Sequence, residues 1–254
     1  MARSFDGVDD IVNCGSATSI DDVNTFTWCA WIYPTSMGES SYGRIADKGN
    51  PKVFIMDGVN TTNGMTAQVL RVTTNAYAVA SANTIVLNTW QFVGVTFDDA
   101  AAQEVHLFRA TSSSAVVETS YTATQNGTGA ITTDAANSFV IGSNVGTTES
   151  FAGRICEVRM YAGILNLTEL TMVKLGMIIR PDIMKLYIPL YGVMSPEPDW
   201  SGNNNHGTVT GATRIDHPPG IGLWTPPRKV IVKQAVAGGA DVRNHIIPAY
   251  IMMQ

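Results

Sequence analysis

The sequence predicts an all-β protein, an antiparallel two-sheet sandwich with one short helix, and three observations carry that expectation. Short segments with period-two alternation recur along the chain, Gly, Asn, Asp and Ser clusters separate them, and only one stretch has helical spacing. The clearest segment, 26–33, alternates Phe26, Trp28, Ala30 and Ile32 with Thr27, Cys29, Trp31 and Tyr33, and Pro34 ends it. Similar runs occupy 52–56, 67–73, 84–87, 90–97, 104–109, 138–141 and 154–161. One more strand is read over 186–190, where Pro189 sets it at an edge or a bulge. Both faces of 26–33 carry aromatics, so either both are covered, the expected case because large apolar side chains are rarely left in water, or one is a binding surface. The helix is expected over 168–178: Thr168 can cap it, Leu170, Val173 and Met177 recur three to four residues apart, and Pro181 stops it. One short helix cannot cover a sheet of this extent, so the strands must bury their inner faces against each other.

Composition narrows the function classes. The chain has 254 residues, 45% of them hydrophobic and 15% charged, enough for a substantial core and unlike a disordered chain. Sixteen Lys and Arg against 21 Asp and Glu leave a net charge of −5 with no basic run, which argues against a nucleic-acid partner. No apolar run approaches the roughly 18 residues of a membrane span, so a soluble protein without a membrane partner is expected. Residues 1–7 enter patterned sequence at once, so a chain that starts here is not expected to be secreted through a signal peptide. Cys14, Cys29 and Cys156 are odd in number and widely spaced, fitting buried thiols better than a disulfide framework or a metal cluster.

Four stretches then carry a resemblance. Ser4-Phe5-Asp6-Gly7-Val8-Asp9-Asp10-Ile11-Val12, Phe26-Thr27-Trp28-Cys29-Ala30-Trp31-Ile32, Trp90-Gln91-Phe92-Val93-Gly94-Val95-Thr96-Phe97-Asp98, and Phe151 to Tyr161 followed by Leu165 to Leu170 resemble, in order, strands of the laminin G-like jelly rolls in the concanavalin A-like lectin and glucanase superfamily. The resemblance implies a jelly-roll domain over 1–216. In that family a segment like Asp199-Trp200-Ser201-Gly202-Asn203-Asn204-Asn205-His206-Gly207 precedes the opening strand, whereas here it follows the helix, so the order is read as circularly permuted. Permutation requires the joined ends to be adjacent, so the strand near 206–210 is expected beside the strand near 4–5.

No catalytic set is read. The glucanases of the superfamily use a Glu-x-Asp-x-x-Glu strand; Glu197-Pro198-Asp199 lacks the third acid and contains proline, and His106, His206, His217 and His245 are scattered. Metal binding is expected at Asp6, Asp9 and Asp10, with the permutation bringing Asp199, Asn203 and Asn205 to the same end; these oxygens suit calcium, which many laminin G-like modules hold. The same residues could simply bend turns. Tyr42 and Trp200, with Tyr77 and Trp224, are the aromatic candidates for glycan contact, although strands and turns use such residues anyway.

Beyond residue 216 the resemblance ends, and Pro218, Pro219, Pro226 and Pro227 suggest an extended C-terminal arm over 217–254. Its apolar Val230, Ile231, Val232, Ile246, Ile247, Tyr250, Ile251 and Met252 would be costly to leave wet, so they are read as contacts to a neighbouring subunit, with packing on their own sandwich as the alternative. Modules resembling this one occur in tailed-bacteriophage structural proteins. The reading is therefore a non-enzymatic virion component, a capsid decoration or tail accessory made in the host cytoplasm, whose partners are a major capsid or tail protein and its own copies. The alternative is a calcium-dependent carbohydrate-binding module for a surface glycan.

Overall fold

The structure is a computed structural model that describes residues 1–216. Sixteen strands and one helix follow in chain order: β1 (Ala2–Asp6), β2 (Ile11–Asn13), β3 (Thr25–Pro34), β4 (Arg44–Asp47), β5 (Lys52–Asp57), β6 (Gly64–Val69), β7 (Ala76–Ala80), β8 (Gln91–Asp98), β9 (Val105–Thr111), β10 (Val117–Glu118), β11 (Tyr121–Gln125), β12 (Val140–Ile141), β13 (Ala152–Tyr161), α1 (Leu167–Lys174), β14 (Met184–Ile188), β15 (Thr208–Thr210) and β16 (Thr213–Ile215). They form two antiparallel eight-stranded sheets. The first runs β10-β9-β8-β3-β13-β1-β16, with β14 also on β13; the second runs β11-β7-β6-β5-β4-β12-β2-β15. This is the expected jelly-roll sandwich.

The core lies between the sheets. Phe26 stacks on Trp28 at 4.8 Å, and Trp28 meets Phe139 of the opposite layer edge-on at 5.1 Å. The other face of β3 is covered too, as expected, because α1 lies over it: the Trp31 Nε1 donates to the Lys174 carbonyl at 3.1 Å, and Leu170 and Val173 are buried. The helix differs from expectation at both ends. Asn166, not Thr168, is the cap; its side chain accepts from the Glu169 N–H at 3.0 Å while Glu169 Oε2 accepts from the Asn166 N–H at 2.9 Å. Gly176, at φ 84°, turns the chain well before Pro181.

The permuted order is realised one strand further along than expected. It is β15 that pairs with β2, and β16 that pairs with β1. The hairpin crosses from the second sheet to the first at Gly211, whose φ is 75° and where a Cβ would lie 1.8 Å from Asp10 Oδ1. Arg3 fastens this late segment to the first strand. Its Nε donates to Glu197 Oε1 at 2.7 Å, and Nη1 and Nη2 donate to the carbonyls of Ala212 and Met194 at 2.7 and 2.6 Å.

Some strand expectations change. Residues 84–87 are irregular and not a strand; the Gln91 side-chain amide donates to the Val86 carbonyl there at 2.9 Å. Strand β6 begins at Gly64 and ends at Val69, short of the expected 73. The three cysteines are buried and free, and burial pushes the Cys29 thiol up to about 12.

Candidate functional site

Alternation along β5 decides which residues face outward on the second sheet. Phe54 and Met56 enter the core, so Val53 and Ile55 face the other way. Register then sets Arg44 opposite Ile55, Ile55 opposite Thr66, and Val53 opposite Gln68. With Tyr42, Asn50, Asn60, Leu70 and Glu149 these side chains line a cavity of 370 Å³ on the outer face. Its floor is apolar and its walls carry amides, a phenol and one ion pair.

Two loops hold the rim. Asp57 Oδ1 accepts the N–H groups of Val59 and Asn60, and Oδ2 accepts Thr66 Oγ1 at 2.6 Å and Asn60 Nδ2 at 2.8 Å. Asn60 Nδ2 also reaches the Tyr42 hydroxyl at 3.4 Å. On the Tyr42 side, Ser40 and Ser41 are left-handed at φ 51° and 62°, and the Gly58 N–H donates to the Ser41 carbonyl, joining the two loops.

The ion pair is a shared one. Arg44 Nε donates to Glu149 Oε2 at 2.6 Å, with Nη2 bonded to the same oxygen, while Nη1 stands 3.4 Å from Asp47 Oδ2. Asp47 is 1% exposed, with the Arg44 guanidinium and the Gly49 backbone as its polar neighbours. Burial pushes its carboxyl up to about 6, against the opposing pull of Arg44.

Of the residues singled out from sequence, Tyr42 is in this groove. Tyr77 is half-buried on the neighbouring strand opposite Gln68, without lining it. Trp200 lies against the first sheet, edge-on to Tyr187 at 5.9 Å and Tyr191 at 5.4 Å. The metal candidates divide into two groups. Asp6, Asp9 and Asp10 offer oxygens within 4.8 Å of one another. Asp199 instead accepts the Tyr187 N–H at 2.9 Å and the Asn205 N–H at 2.9 Å, and Asn203 and Asn205 donate to the Lys185 carbonyl. Asp6 pairs with Ala152 and Tyr187, whose N–H Asp199 accepts, with Arg159, so their partners on β13 are seven residues apart. The expected single cluster is therefore not formed: β1 and β14 lie end to end along β13, and the 199–205 turn uses its polar groups to brace β14. Trp224, Val230, Ile231, Val232, Ile246, Ile247, Tyr250, Ile251 and Met252 lie outside the described residues.

Sequence reasoning missed Arg44, Gln68 and Glu149. Arg44 and Glu149 are 105 residues apart in the chain and meet only through the register of β4 and the loop before β13.

Residues 6–171 match the family model described as the concanavalin A-like lectin/glucanases superfamily. No curated protein matches the sequence. Among solved structures, a Bacteroides ovatus protein described as carbohydrate binding aligns with a TM-score of 0.60 at 15% identity, over 85% of this chain and 60% of that one. The chain thus spans 60% of that protein's length. Domain 4 of an extracellular arabinanase from Geobacillus stearothermophilus, in complex with arabinotriose, aligns with a TM-score of 0.47 at 15% identity over 68% and 76% of the two chains. Tailspike protein 2 of an Escherichia coli O157:H7 bacteriophage, CAB120, aligns with a TM-score of 0.46 at 10% identity over 74% and 30%. At these identities the likeness is one of fold.

Proposed function

The chain belongs to the concanavalin A-like lectin/glucanases superfamily, and from that premise we propose that it is a non-catalytic carbohydrate-binding module whose ligand lies in the groove on the outer face of the second sheet. The observation that carries this reading is the pairing of an apolar floor with convergent amides and a rim phenol in one cavity of 370 Å³. Such a surface meets the C–H face of a sugar and its hydroxyls together. The Bacteroides ovatus protein of the same fold, described as carbohydrate binding, supports the reading.

Binding without cleavage is the better account of the groove's acids. Glycoside hydrolysis needs two carboxyls flanking the bond, one of them poised to give a proton. Here Glu149 is held by Arg44, and Asp47 is buried and does not line the cavity. The three carboxylates Asp6, Asp9 and Asp10 would hold a calcium ion, for which hard oxygens at a turn are suitable ligands. Ser150 links that turn to the groove: its Oγ donates to the Val8 carbonyl at 2.8 Å, and it directly follows Glu149.

Titration of neutral oligosaccharides into the full chain tests the proposal. Tyr42→Ala is expected to weaken binding by about tenfold or more, the size of one lost aromatic contact. Calcium is expected to raise the melting temperature, and a chelator to reverse it. Release of reducing ends from the bound sugar, or affinity indifferent to Tyr42→Ala, would refute the groove reading.

The sequence of 217–254 supports a second reading, that the module is carried on a virion. Its apolar clusters at Val230–Val232 and 246–253 would join the chain to a capsid or tail protein or to its own copies. Co-sedimentation with such particles that survives deletion of 217–254 would speak against it.

A further inference from the structure

Among the side chains that line the groove, Arg44 and Glu149 are the charged ones, and Asp47 lies directly behind Arg44. One guanidinium is therefore shared by two carboxylates. Its Nε and Nη2 already converge on Glu149 Oε2 in charge-assisted hydrogen bonds, which are stronger than those between neutral groups. An acidic sugar entering the groove would have to take Arg44 from Glu149, leaving a carboxylate unpaired beside a second one that is 1% exposed.

A hydroxyl makes no such demand. The hydrogen bonds to Glu149 converge on Oε2, which leaves Oε1 to accept from a ligand hydroxyl without breaking the pair. Among the described residues the amides of Asn50 and Gln68 are not bonded to other side chains or backbone, and each offers both a donor and an acceptor. Val53, Ile55 and Leu70 provide the apolar floor. The cavity is near the low end of the range of about 300–1,000 Å³ for small-molecule sites, which suits a short end-group.

We propose that the groove selects a neutral sugar and rejects uronic acids and other acidic sugars, with the Arg44–Glu149 pair as the selecting element and Asp47 as the second acid that keeps the groove from turning positive. This rests on the groove being the glycan site. Arg44 and Glu149 act here as specificity residues.

The test uses the full chain and matched oligosaccharides of galactose and galacturonic acid, and of glucose and glucuronic acid. The wild type is expected to bind the neutral member of a pair at least about tenfold more tightly, as like-charge juxtaposition requires. Raising salt should narrow that ratio by screening the repulsion, a readout that needs no variant. Glu149→Gln, a near-isosteric change at a partly exposed position, should narrow it further by freeing Arg44 for a ligand carboxylate. Thermal unfolding checks that this variant is folded. A wild type that prefers the uronic member, or a ratio that neither salt nor Glu149→Gln moves, overturns the inference while leaving the groove as the glycan site. Binding of neither member, or binding untouched by Tyr42→Ala, overturns the site assignment and this inference with it.

Discussion

At the scale of single residues, Asp47 has the clearest thermodynamic signature. Its carboxyl is pushed up to about 6 by burial from an ordinary value of 3.8. A raised acid binds its proton more tightly in the folded state, so Asp47 costs nothing below about pH 4, and its ionisation penalty grows through pH 4–6 and is complete above 6. Asp47→Asn is therefore expected to stabilise the protein at pH 8 by on the order of 2 kcal/mol and to bring little benefit at pH 4. Urea midpoints at the two pH values check this; an equal effect at both would contradict it. The acidity of this residue could not be read from sequence. Arg44-Ile45-Ala46-Asp47 gives no sign that its last side chain is enclosed, and that follows only from strands β5 and β12 on either side of it.

At the scale of elements, α1 has just eight residues, too short to persist alone. Two things hold it: the reciprocal capping box of Asn166 and Glu169, and the burial of Leu170 and Val173 against the first sheet. Asn166→Ala is expected to cost about 1 kcal/mol, seen as a lower melting temperature with the fold retained. Because Trp31 bonds to Lys174, the emission of its indole should report any fraying of the last turn before global unfolding does. The helix was legible as an element because its apolar spacing is periodic. Its start was misplaced because Asn166 and Thr168 are both competent caps, and the choice depends on which residue takes extended dihedrals. Among strands, β3, β8 and β13 were legible from their aromatic and β-branched alternation. Strands β4 and β7 were not, since small or charged residues give them no pattern and their neighbours alone keep them extended.

At the scale of the whole molecule, the late segment must be attached to the first strand for both sheets to be completed at one side. The Arg3–Glu197 pair does much of this, with side chains 9% and 0% exposed. Losing one partner leaves the other charge buried, so Arg3→Met should destabilise the protein by about 3–5 kcal/mol. Arg3→Met combined with Glu197→Leu should recover much of that loss, because no stranded charge remains. Denaturant titration of the single and double variants distinguishes this from a generic cost of changing β1. Other buried charges act similarly between distant loops: Lys48 bonds Asp21 at 2.6 Å, and Lys52 bonds Asp134.

The sequence by itself determined the all-β class, the two-layer packing and the covered outer face of β3, while the return of the last hairpin to the first strands was legible only through the family resemblance and came one strand later than expected. The first three are written in local periodicity and turn chemistry, which need no knowledge of distant neighbours. Only the tertiary structure decided that Tyr42 shares a groove with Arg44, Gln68 and Glu149, and that Asp6 and Asp199 stand at separate places along β13. Those outcomes depend on strand register and on which loops come together, and register is fixed by cross-strand packing over long sequence separations that no single segment encodes.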